Sequence, residues 1–140
     1  MRPIKFRAWE KTSESMVYDV QNVSRKRIIG ESACESFQEV LDSWEYETMQ
    51  YTGLKDKNDK EIYEGDIIEF NNNDYARTAG HLDDEIIIAK VEYYCGHYGL
   101  KEANGQLHDL YVSLVNDEEA EIIGNIYENP ELLEENNESR

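Results

Sequence analysis

Apolar and polar positions alternate along most of this chain, and the alternation predicts short strands joined by polar turns. Ile4, Phe6 and Ala8 fall on one side of a strand from Ile4 to Glu10, with Lys5 and Arg7 on the other, and Pro3 suits its first position. After the polar stretch Lys11 to Ser15, the residues Val17, Tyr18 and Val20 favour a second strand over Met16 to Val20, so residues 4–20 read as a hairpin. One helical pattern stands out. Phe37, Val40, Leu41 and Trp44 are spaced i, i+3, i+4, i+7, and Ser36 with Glu39 makes a capping box at the start, which predicts an amphipathic helix over Phe37 to Trp44 with its apolar face on the core.

From Thr48 the period returns to two. Met49 to Thr52 reads as a strand, Gly53 to Lys60 as a turn region centred on Asn58-Asp59, and Glu61 to Tyr63 as the returning arm. Glu64-Gly65-Asp66 breaks the chain before a short strand Ile67 to Phe70, and Asn71 to Asp84 is polar and aperiodic, an exposed loop. Glu85 to Cys95 is the strongest strand, expected at the centre of a sheet, with Ile87, Ala89, Val91, Tyr93 and Cys95 on one face. Gly96, Gly99, Asn104 and Gly105 mark a turn. Leu107 to Val115 alternates as a strand with Leu110, Val112 and Leu114 inward, Asn116 to Glu119 is a turn, and Glu121 to Tyr127 is the last strand. Asn129-Pro130-Glu131 starts a short helix over Pro130 to Glu135, followed by a fraying tail. Many short strands with few helices between them predict a mainly β protein, a small antiparallel barrel-like architecture of SH3-like kind with one or two short helices.

The chain has 140 residues, 39% of them apolar, which suits one domain with a real core. Within it, residues 1–47 form a basic N-terminal part of strands plus helix, 48–128 a β-rich body, and 129–140 a C-terminal helix and tail. Charge changes this picture. The chain has 14 Lys and Arg against 31 Asp and Glu, net −17, yet residues 1–30 hold 7 basic against 3 acidic side chains, net +4, leaving 7 against 28, net −21, on the other 110 residues. Such opposed fields attract each other within a chain or between copies, and the overall acidity repels nucleic acid, which could be met only by the basic head. No apolar run reaches the roughly 18 residues of a membrane helix, and no signal-peptide pattern opens the chain, so the expectation is a cytoplasmic protein without membrane contact.

The run Met49-Gln50-Tyr51-Thr52-Gly53-Leu54-Lys55-Asp56-Lys57-Asn58-Asp59-Lys60-Glu61-Ile62-Tyr63-Glu64-Gly65-Asp66-Ile67-Ile68 resembles the YopX family of small phage and prophage proteins. The opening Ile4-Lys5-Phe6-Arg7-Ala8-Trp9 and the closing Gly124-Asn125-Ile126-Tyr127-Glu128-Asn129-Pro130-Glu131-Leu132-Leu133 match it too, in order, so the resemblance spans nearly the whole chain. Glu10 stands where the family more often has Asp, and Asp59 where an Asn-Gly turn is usual. The resemblance implies a mainly β, barrel-like YopX-like fold, a phage or prophage origin and self-assembly, with no enzymatic activity to carry over. Its motif residues Gln50, Tyr51, Thr52, Gly53, Leu54, Ile62, Tyr63, Gly65, Asp66, Gly124, Asn125, Asn129 and Pro130 are turn formers interleaved with core formers, which points to a structural role.

Residues with chemistry of their own are few. Cys95 and His97 could project together, with His81, His108 and Cys34 as further ligands, but zinc sites normally show close ligand pairs at both ends and here only one pair exists. The more economical reading makes Cys95 a buried small apolar residue and His97 a turn residue. A Cys-His nucleophile lacks an oxyanion motif, paired acids such as Asp83-Asp84 are common in so acidic a chain, and no phosphate-binding glycine motif occurs. No cofactor is expected. The sequence therefore favours a non-enzymatic interaction protein that forms a homo-oligomer and meets a host or phage protein partner. The alternatives are an acidic nucleic-acid mimic that binds a basic host protein, and a metal-dependent or Cys-His hydrolase.

Overall fold

A computed structural model describes residues 4–22, 36–71, 85–117 and 119–138. Its elements, in chain order, are strands β1 (Phe6–Glu10) and β2 (Ser15–Tyr18), a 3-10 turn (Val20–Asn22), helix α1 (Phe37–Asp42), strands β3 (Tyr46–Lys55), β4 (Glu61–Tyr63), β5 (Asp66–Asn71), β6 (Ile86–Tyr94), β7 (His97–Glu102) and β8 (Leu107–Asp109), helix α2 (Leu110–Asn116), strand β9 (Glu121–Asn125) and helix α3 (Glu131–Glu138). The architecture is mainly β and antiparallel, of curled barrel-like sheets with short helices, as the alternation predicts. The chain divides into two compact units, 1–53 and 54–140.

In the first unit β1 lies between β2 and β3, both antiparallel to it. Ala8, Val20, Val40 and Tyr46 form the core, with Phe6, Val17 and Phe37 packed against it, and the rings of Phe6 and Phe37 stand 4.9 Å apart. Arg7 and Trp9, on the face of β1 opposite Ala8, are buried as well, and so is Glu10 on the Ala8 face, so this strand is enclosed on both faces rather than one. Glu10 accepts hydrogen bonds from Tyr46 Oη at 2.8 Å and from Ser13 Oγ, so this buried carboxylate is held by the turn and by β3. Ser36 caps α1 by accepting from Glu39 N, as expected, but the helix stops at Asp42, two residues short of the expected Trp44. Ser43 turns extended there and its hydroxyl accepts from Glu45 N, so Trp44 is left 75% exposed and Leu41 outside the core. Glu14 occupies left-handed backbone, φ +53, in the β1–β2 turn. Glu14→Gly removes that strain at the cost of extra freedom in the unfolded chain, and is expected to raise stability by up to about 1 kcal/mol in chemical denaturation.

In the second unit the sheet order is β8-β7-β6-β5-β9, with β6 in the middle as expected. Ile68 and Phe70 of β5, Ile87, Ala89 and Val91 of β6 and Leu100 of β7 supply the core, joined by Ile62, Leu110 and Ala120. On β6 the inward face ends at Val91. Tyr93 is half exposed, and Cys95, expected to be buried, is exposed in a two-residue turn where Cys95 and Gly96 have φ +51 and +86. The region expected as a turn holds β7, paired with β6 from Tyr94↔His97 to Ala89↔Glu102. The predicted strand Leu107 to Val115 is the second correction. Only Leu107–Asp109 pairs with β7, and the Asp109 side chain then accepts from Val112 N at 2.9 Å and starts α2. A helical turn replaces the expected alternation, so Leu110 is buried and Leu114 half-buried, while Val112, expected inward, is exposed. β9 ends at Asn125, and α3 continues to Glu138, past the expected end at Glu135. The expected loop lies outside the described residues beyond Asn71.

Candidate functional site

The motif residues gather mainly where β5 and β9 begin and end. Gly65, at φ +86, follows Glu64 in the two-residue turn between β4 and β5, and Asp66 Oδ2 accepts from Tyr63 N at 2.8 Å to close it. Gly65 N donates to Val91 O, and Ile126 N donates to Gly65 O, both at 2.9 Å, which ties this turn to β6 on one side and to the end of β9 on the other. Asp66 pairs with Asn125 and Ile67 with Gly124, after which the register shifts so that Ile68 faces Ile122. The two motif blocks, some 60 residues apart in sequence, are thus one hydrogen-bonded junction.

Asn125 organises the exit from β9. Its Oδ1 accepts from Tyr127 N at 3.0 Å and Glu128 N at 2.9 Å, and its Nδ2 donates to Glu128 Oε1 at 2.7 Å. Asn129 N donates to Asn125 O, and Asn129 Oδ1 accepts from Asn125 N at 3.2 Å, so this side chain turns back onto β9. Gly124 permits this, since a Cβ there would stand 2.5 Å from Asn129 Oδ1. Pro130 is exposed and precedes the helix.

The rest of the central motif is strand and core. Gln50 pairs with Phe6 across β1, Tyr51 N donates to Lys5 O with Lys5 Nζ 5.6 Å from the Tyr51 ring centre, Thr52 is buried and Gly53 lies at φ +89. In the second unit Leu54 packs on the core while Ile62 and Tyr63 are buried. Each of these residues has a task in the backbone or the core.

Three carboxylates that sequence reasoning did not single out do comparable work. Asp56 Oδ1 accepts from Asn58 N and Lys60 N, both at 2.9 Å, and its Oδ2 accepts from Ile122 N at 3.0 Å, which pins the β3–β4 turn to β9. Asp59, inside that turn, has φ +64, in keeping with the turn centre read from Asn58-Asp59. Asp117, after α2, accepts from Asn71 N at 2.7 Å and from Glu119 N at 3.0 Å. Glu102 is buried and meets His108 Nε2 at 2.7 Å, with the His108 ring set edge-on to Phe70 at 5.3 Å. An Asp heading a polar turn was a readable signal for Asp56. Nothing local marks Glu102 or Asp117, whose partners come from other elements.

The candidate ligands do not converge. His108 lies opposite Leu100, and Leu100 is three residues from His97 on β7, so the two imidazoles leave the sheet on opposite faces. His108 turns inward to Glu102, while His97 is exposed, with Nε2 3.9 Å from Asp109 and Nδ1 3.5 Å from the Cys95 carbonyl oxygen. Cys34 and His81 lie outside the described residues. Among the described residues no group of three His, Cys, Asp or Glu side chains is placed to share a metal ion. Cys95→Ser is accordingly expected to change stability by less than about 0.5 kcal/mol, and the native Cys95 thiol to be alkylated by iodoacetamide, read by peptide mass spectrometry.

A shallow depression on the second unit's sheet is bordered by Lys90 and Lys101, which stand directly opposite on β6 and β7, and by Leu133 and Glu134 of α3. Lys90 Nζ is 3.9 Å from Glu92. No described helix is long and apolar enough to cross a membrane.

Fold and site together define a small mainly β protein whose marked polar side chains build turns and strand junctions. The family model described as "YopX protein" matches residues 5–134, and the chain belongs to the YopX family. Its fold is similar to that in the crystal structure of protein EF1440 from Enterococcus faecalis, with a TM-score of 0.61 and 25% sequence identity over 95% of this chain and 99% of that one. No curated protein matches the chain in sequence.

Proposed function

We propose that this protein is a non-enzymatic interaction protein of phage or prophage origin that acts in the host cytoplasm as a homo-oligomer. The observation that carries the reading is where the motif residues spend their polar groups. Asp66, Asn125 and Asn129 bond backbone groups of neighbouring turns, Gly65 supplies the left-handed backbone of one turn, and Gly124 makes room for Asn129. A motif spent on architecture leaves function to the surface, and the sequence joins a strongly acidic body to a basic N-terminal stretch. Copies of such a chain attract each other head to body, with an attraction that added salt weakens. Size-exclusion chromatography with light scattering tests this. A mass above that of one chain at low salt, falling as salt is raised, is expected. A single-chain mass at every salt and protein concentration would end the reading.

A further inference from the structure

On α2, Leu110, Ser113 and Leu114 turn inward, while Tyr111, Val112 and Val115 fall on the outer face and are 63%, 50% and 58% exposed. Leu107, on the edge strand β8 four residues earlier, is a further exposed apolar side chain. A helix that is apolar on both faces normally has protein against both, and the sheet edge beside it has pairing groups on its open side.

Charge selects the occupant. Residues 54–140 carry 7 Lys and Arg against 22 Asp and Glu, net −15. Exposed Asp109 and Glu119 flank the helix at its two ends. Two copies joined through this same face would set like fields against each other, whereas a segment both apolar and basic would be drawn to it. The chain contains one run of three consecutive cations, and two isoleucines follow it: Ser24-Arg25-Lys26-Arg27-Ile28-Ile29-Gly30, within residues 23–35, which lie outside the described residues.

We propose that the outer face of α2 receives the Arg25–Ile29 segment of a second copy, with the isoleucines against Tyr111, Val112 and Val115 and the cations towards Asp109 and Glu119. This rests on the self-assembly reading and makes it specific. The contact is heterologous, joining one patch to a different one, so it repeats from copy to copy into a ring or a filament.

Two surface variants test the pairing, Tyr111→Ser/Val115→Ser on the helix and Arg25→Glu/Lys26→Glu/Arg27→Glu on the segment. Circular dichroism and cooperative thermal unfolding check that each is folded, and Val112→Arg is a second, independent change on the same face. Light scattering is expected to show an assembled wild type, each variant alone at the mass of one chain, and a two-chain species when the helix and segment variants are mixed in equal amounts. The mixture recovers one intact contact, which a symmetric α2-to-α2 interface could not do. A wild type of single-chain mass would end both this proposal and the self-assembly reading. Assembly that survives both helix variants would end the assignment to α2 and leave self-assembly standing. Two single-chain variants that do not recover on mixing would overturn the match of this segment to this face.

Discussion

Asp56→Ala is expected to destabilise the protein by about 3 kcal/mol and to lower Tm by about 10 °C. The side chain is buried and accepts from three backbone N–H groups, those of Asn58, Lys60 and Ile122. Hydrogen bonds to a charged acceptor contribute about 1.5–3 kcal/mol each, but these three share one carboxylate and the freed donors are only part-buried, so the loss stays below their sum. Lys57 N donates to Ala120 O beside them at 3.1 Å, so the turn loosens from β9 as a unit. Asp56→Asn keeps one oxygen acceptor and turns the other position into a donor that faces N–H groups, which places its cost between parent and Ala. Urea unfolding of the three proteins gives the order directly. A loss under about 0.5 kcal/mol for Asp56→Ala, the range of ordinary surface changes, would show that the turn does not need its carboxylate.

Gly124→Ala is expected to cost a similar amount, about 2–4 kcal/mol, through steric conflict rather than a lost partner. Its new Cβ would meet Asn129 Oδ1 at 2.5 Å, Cγ at 2.8 Å and Cβ at 2.9 Å. Asn129 must then move, which breaks its bond from Asn125 N and displaces the chain that leads into α3. Overpacking costs about 1–3 kcal/mol and a lost hydrogen bond to a part-buried donor about 1 kcal/mol more. Asn129→Ala alone gives up only the hydrogen bond. In a double-mutant cycle the pair Gly124→Ala/Asn129→Ala should therefore cost less than the sum of the two singles, because the second change removes most of the atoms that the first collides with. Additive losses would place the strain elsewhere.

Both predictions concern residues that the sequence brings to notice unevenly. Gly124 and Asn129 stand in a block that the family resemblance marks, although the local pattern reads Gly124 only as part of the strand Glu121 to Tyr127. Asp56 sits in the marked central run, yet its decisive partner, Ile122, is 66 residues away and invisible to any local rule. The same holds for Glu102 and His108. Their six-residue spacing suggests nothing, and only the antiparallel register of β7 and β8, which sets His108 opposite Leu100, brings it diagonally beside Glu102 on the same face of the sheet. Cys95 and His97 are the reverse case. They are near in sequence, yet among the described residues no group of three His, Cys, Asp or Glu side chains is placed to share an ion.

Helices and strands divide along the same line. Alternating apolar residues located β6, because a strand with one buried face must repeat every two residues whatever its neighbours are, and short apolar runs between turn formers located β5 and β9. In Leu107 to Val115 the apolar residues read as one alternating strand, and beyond Asp109 that reading is wrong. The Asp109 cap and the burial available to Leu110 decided for a helix, and so left Tyr111, Val112 and Val115 outside. The glycines around His97 hid β7 for a related reason, since they weaken a strand locally and only pairing with β6 compensates.

By itself, then, the sequence determined that the chain is mainly β, where several of its turns fall, how its charge is distributed and to which family it belongs, since each of these is written in residue type and short spacing. The tertiary structure alone decided which polar side chains meet, which apolar ones stay outside, and that the two motif blocks form one junction. Those outcomes depend on strand register, and register joins residues whose separation along the chain carries no trace of their contact.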